Sequence, residues 1–203
     1  MRYFRVVHIT LWLGLISPLA LPAACSSAMA QEASPSDDAL GTESARGPDA
    51  LLTALKRERD PEAANKIAIE IISYWNASGS ATVDLLMQWA NSAINEKRNA
   101  AALDFLDQAI VLKPDYVAVW NQRATLHYTL GNYRKAMADI NHVLAIEPRH
   151  FGALAGMAAI LGEQGSDEMA LKAWERYLEI YPADREAQDV VTKLSEKLAG
   201  SRI

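Results

Sequence analysis

The side chains that could do chemistry in this chain are few. Beyond the first thirty residues the histidines are His127, His142 and His150, and no cysteine remains, because Cys25 is the only one. His142 follows Asp139 three residues on, and His150 stands beside Arg149 in a turn. A metal site needs ligands converging from one face, and no spacing here brings them together, so no metal ligand is expected. A Gly-rich phosphate loop, G-x-S-x-G, H-E-x-x-H and a cysteine nucleophile are all lacking. No catalytic residue and no cofactor are therefore assigned. What remains is binding chemistry. Asn91, Asn95, Asn121 and Thr125 can each donate and accept hydrogen bonds, Tyr128 has a flat apolar face with a polar tip, and Arg123 and Asp139 can form an ion pair.

The elements that must position these groups repeat. Three units follow one another at a 34-residue period, Val83–Tyr116, Val117–His150 and Phe151–Asp184. Position 4 of the unit holds Leu86, Trp120 and Leu154; position 8 holds Ala90, Ala124 and Ala158; position 20 holds Ala102, Ala136 and Ala170. Position 24 holds Leu106, Ile140 and Trp174, position 27 holds Ala109, Val143 and Tyr177, and position 32 holds Pro114, Pro148 and Pro182. Small residues at 8 and 20 let two helices approach closely, and large ones at 4, 24 and 27 fill the space beside them. Proline after the second helix stops it and turns the chain into the next unit.

This pattern resembles the tetratricopeptide repeat (TPR) family, W-x2-L-G-x2-Y, then A-x3-F, then P. The resemblance implies an all-α fold, a right-handed superhelix of helix-turn-helix units. It also implies that His127, at a position usually aromatic, packs in the core, and that Arg123 and Asp139, at positions 7 and 23, form a salt bridge between the helices of their own unit. In the family a ligand lies on the concave face, lined by the first helix of each unit. Carried over residue by residue, the groove would use Met87, Asn91, Asn95, Asn121, Thr125, Tyr128, Thr129, Ala155 and Ala159. A smooth trough is expected along Gly152, Gly156 and Ala159, unless the capping helix fills it. Family members that hold acidic chaperone tails use lysine at position 5 of the first unit, where this chain has Met87, and further basic residues in the third. A near-neutral groove with a protein or peptide partner that is not strongly charged is the expectation.

The flanks complete the layout. Residues 1–30 read as a signal peptide: Arg2 and Arg5, an apolar run from Val6 to Ala24, and Ala28-Met29-Ala30 before Gln31. Cleavage there removes two cations and no acid, taking the net charge from −5 to −7. Lipidation of Cys25 is the alternative. Residues 31–48 have almost no large apolar side chain and read as a disordered tether. Residues 49–79 read as a degenerate helical hairpin that caps the array at its N-terminus, with Asp60-Pro61-Glu62 starting its second helix. Residues 185–199 form an amphipathic capping helix, since the last unit would otherwise expose its stacking face. The acidic balance argues against nucleic acid, which needs a basic surface. The expected protein is an exported, periplasmic interaction module with no membrane insertion after cleavage, serving cell-envelope assembly or maintenance; the alternative is an outer-membrane lipoprotein, lipidated at Cys25, that assists assembly of a pilus, a secretin or an outer-membrane protein. The sequence leaves its oligomeric state open.

Overall fold

The computed structural model describes residues 47–200. The signal peptide, Cys25 and nearly all of the tether lie outside the described residues. Within them the fold is all-α: α1 (Pro48–Arg57), α2 (Pro61–Trp75), α3 (Ala81–Asn95), α4 (Asn99–Leu112), α5 (Val117–Thr129), α6 (Tyr133–Ile146), α7 (Phe151–Glu163), α8 (Asp167–Ile180) and α9 (Arg185–Gly200). Helices α3–α4, α5–α6 and α7–α8 are three antiparallel hairpins, stacked one on the next through α4–α5 and α6–α7. The alanines at positions 8 and 20 are all buried where the two helices of each unit cross. Among the described residues no helix is long and apolar enough to cross a membrane.

One backbone device recurs in each unit. Position 15 takes a left-handed conformation in all three, at Lys97 (φ 58°), Gly131 (φ 72°) and Gly165 (φ 73°). Around it the chain closes a Schellman pair, for example Asn132 N–H to His127 O and Gly131 N–H to Tyr128 O, which satisfies carbonyls at the helix end. Lys97 makes the same turn at the steric cost that glycine avoids.

The N-terminal hairpin departs from the sequence expectation. It does not stack on α3 as a preceding repeat would; α1 packs on α2 and reaches α8. The hairpin lies along the turns between the units. The Tyr116 hydroxyl donates to the carbonyl of Asn76 at 2.7 Å. The Trp75 indole stacks on the His150 ring with centroids 4.2 Å apart and packs against Phe151 at 5.1 Å. Arg149 meets Asp49 at 2.7 Å, and α2 borders a cleft with Phe151, Tyr177 and Tyr181. Two causes favour this placement. The turns offer an aromatic pile, His150, Phe151, Tyr177 and Tyr181, larger than anything on α3. The linker is bent by Gly79 (φ 69°) and by buried Ser78, whose hydroxyl donates to Asp84 and accepts from the Ser80 N–H.

His150 makes this arrangement pH-sensitive. Its Nδ1 caps α7 by accepting from the Ala153 N–H at 3.0 Å, so the ring must stay neutral there, and burial pushes its pKa down from 6.5 to about 4. Protonation would remove the cap and place a cation at the positive end of a helix. The unfolded chain binds that proton first as pH falls. The stability is therefore whole above pH 6.5 and drains away between 6.5 and about 4, by about 3 kcal/mol at the limit. Chemical denaturation at pH 7 and pH 4 should show that loss for the wild type and a much smaller one for His150→Asn, which keeps a cap acceptor.

Candidate functional site

The first helices of the units, α3 and α5, enclose an open cleft of about 630 Å³. Of the residues predicted for the groove, Asn91, Asn121, Thr125 and Thr129 line it, joined by Ala118, Gln122, Ile94, Leu126 and, at one end, Lys97 and Asn99. Asn91 accepts a hydrogen bond from the Gln122 amide, which leaves its own N–H groups toward the cleft's ligands. Thr125 and Thr129 donate their hydroxyls to carbonyls of their own helix, Asn121 O and Thr125 O, so toward a ligand they act as acceptors. Lys97 is the one cation on the wall. The cleft therefore presents amides, hydroxyl acceptors and apolar patches, with little charge.

The remaining predicted residues sit elsewhere. Tyr128 is half-buried, packs beside Tyr133 with ring centroids 5.8 Å apart, and donates its hydroxyl to Glu163 across the unit boundary. It ties α5 to α7 and is committed before any ligand arrives. Met87 leans on the core of the first unit and Ala155 on that of the third; Ala159 is half-buried and Asn95 is exposed outside the cleft. Along the expected trough, a methyl on Gly156 would meet Ile140 at 3.4 Å and one on Gly152 the His150 ring at 3.4 Å, both ordinary contact distances. The capping helix α9 packs on α8. Asn76, brought in by the folded-back hairpin, also lines the cleft; the repeat register alone gives no sign of it.

Arg123 is more connected than the sequence suggests. Its Nε and one terminal nitrogen donate to both oxygens of buried Asp139, at 2.9 and 2.6 Å, and its other nitrogen meets Asp107 of the preceding unit at 2.6 Å. The guanidinium lies 4.8 Å from the Trp120 ring centroid, and its pKa is raised chiefly by the hydrogen bond to Asp139. His127 is buried beside this group, and desolvation lowers its pKa. No three His, Cys, Asp or Glu side chains gather to hold a metal among the described residues.

Stacked hairpins with a polar cleft along their first helices define a helical-repeat binding scaffold. Residues 89–160 match the family model described as tetratricopeptide repeat. A TPR repeat-containing protein of Rhizobium etli is 68% identical over 154 residues, 76% of each chain. Small glutamine-rich tetratricopeptide repeat-containing protein 2 of Saccharomyces cerevisiae is 30% identical over 97 residues, 48% of this chain and 28% of that protein. The first TPR domain of Spaghetti (RPAP3), solved with an HSP90 peptide, superposes with a TM-score of 0.55 at 24% identity, over 59% of this chain and 95% of that one. The Sgt2 TPR domain of Aspergillus fumigatus gives 0.54 at 18% identity, over 61% and 83%. The chain belongs to the tetratricopeptide repeat family.

Proposed function

We propose that this protein is an exported interaction module that holds an extended, uncharged segment of a partner protein in the α3–α5 cleft. The observation that carries the reading is the composition of the wall. Asn91 and Asn121 offer amides that can pair with a peptide backbone, Thr125 and Thr129 offer acceptors, and Lys97 alone brings charge. The similar domain of Spaghetti was solved with an HSP90 peptide, which supports a peptide as the ligand class. Its acidic ligand is not the expectation here, because Met87 and Ala155 stand where the resemblance would place basic groups. The partner belongs to the cell envelope, and the site of action is the periplasm. A chain beginning at Gln31 in intact-mass analysis would support that; lipid on Cys25 would favour the anchored alternative.

The test is a photo-crosslinking residue at Thr129, followed by affinity measurement on the captured partner. Replacing Asn91 and Asn121 with alanine should weaken binding by ~10–100-fold, the loss of two hydrogen bonds. Raising salt from 50 to 500 mM should change the affinity little, since screening weakens charge pairing far more than amide hydrogen bonds. Binding that survives the double substitution, or that collapses with salt, would remove the cleft from the function.

A further inference from the structure

Folding the N-terminal hairpin back onto the turns builds a second cleft, of about 570 Å³, where the end of α1 meets α8. Four cations stand around it: Lys56 and Arg57 from the last turn of α1, Arg59 just past it, and Arg149 from the turn between the second and third units. The chain as a whole carries a net charge of −5, yet most of this positive charge is unanswered. Arg149 is held by Glu147 and Asp49. Among the described residues no acid pairs with Lys56, Arg57 or Arg59. The two acids beside them in the chain are engaged by the backbone. Glu58 accepts from the N–H groups of Arg59 and Asp60 at 2.7 and 2.9 Å, and Asp60 caps α2 by accepting from the Ala63 N–H at 2.8 Å. One acid, exposed Glu179, lies on the wall. The dipole of α1 accounts for Lys56 and Arg57 at its C-terminal end. It does not account for Arg59 or Arg149.

We propose that this cleft holds a single amphipathic anion, a lipid-like molecule with a phosphate or carboxylate head and an apolar chain. The head would sit among the cations. Beside the charges the lining is apolar: buried Leu52, half-buried Ile180 and the methylene stems of the cations themselves. A bare phosphate would meet the charges but leave that apolar lining wet, in a space large enough for an organic ligand. A peptide fits less well. Its N–H groups would find only Glu179 and the Thr53 oxygen to accept them, whereas the α3–α5 cleft supplies Asn91, Asn121 and Thr125. The Thr53 hydroxyl already donates to the Asp49 carbonyl at 2.8 Å. A flat anionic membrane would face the whole acidic body, while one molecule entering the recess meets only its walls.

Calorimetric titration of the full-length gene product, purified as the cell processes it, separates head from chain. The probes are octyl phosphate below its micelle concentration, inorganic phosphate, octyl glucoside and a tetra-aspartate peptide. Octyl phosphate should bind ~60-fold more tightly than inorganic phosphate, three buried methylenes at about fourfold each. It should also bind at least ~10-fold more tightly than octyl glucoside, which lacks the charge, and than tetra-aspartate, which lacks the chain. Replacing Arg57 and Arg59 with glutamine should weaken octyl phosphate by ~10-fold or more with an unchanged helical circular dichroism spectrum, since both side chains are exposed. Thr53→Glu, which sets an anion on the wall from another exposed position, should do the same. Octyl phosphate no tighter than inorganic phosphate would reduce the cleft to a plain anion patch and overturn the proposal. Equal binding of octyl glucoside would overturn it from the other side. Equal binding of tetra-aspartate would give the cleft to an acidic protein segment instead. Affinity that survives in both folded variants would place the amphiphile elsewhere on the molecule.

Discussion

Replacing Trp75 with alanine is expected to lower stability by about 3–5 kcal/mol, the range for removing a large buried aromatic. The indole is the hinge pin of the hairpin. It fills the space against His150 and Phe151, and no other α2 side chain reaches that pile with a ring. The loss should also be uneven. Hydrogen exchange should show α1 and α2 opening first, with α7 next because its cap is His150, while α3 and α4 keep their protection. Equal deprotection across all helices would show that the hairpin is integral to one cooperative unit and not a strap laid on it.

The second large effect is expected at Arg123. Arg123→Ala should cost about 3–5 kcal/mol, because it leaves the Asp139 carboxylate buried and unpaired. Asp139→Ala should cost less, since the guanidinium keeps Asp107 and its place near Trp120. Exchanging Arg123 and Asp139 together for leucine and methionine should recover much of the loss, because neither charge is then stranded. Thermal or urea unfolding of the wild type, Arg123→Leu, Asp139→Met and the chain carrying both closes the cycle. Additive losses with no coupling would mean that the pair is incidental to the packing.

The repeat register was readable because it follows from small and large residues at fixed spacing, and a 34-residue period leaves little freedom in how such hairpins stack. Ala90, Ala124 and Ala158, or Pro114, Pro148 and Pro182, announce their places one unit at a time. The hairpin was not readable in the same way. Leu52 and Ala68 fit the register of a preceding repeat, yet its position is decided by Trp75 finding His150, a contact between residues whose types say nothing of each other at a distance. The groove divides along the same line. Asn91, Asn121, Thr125 and Thr129 follow from helix phase alone. Tyr128 shares that phase but is drawn away by Glu163 and Tyr133, and Asn76 arrives only because the hairpin folds back.

That hairpin also changes the mechanics of the array. A solenoid whose units touch only their neighbours behaves as a soft spring, able to open or tighten its pitch as a ligand enters. Here a stiff pair of helices is pinned to the joint after each unit, at Tyr116, at Arg149 and His150, and beside Tyr181. The spring then has a splint along one edge. Its curvature is set before binding, and a partner segment meets a cleft of fixed width instead of shaping one around itself.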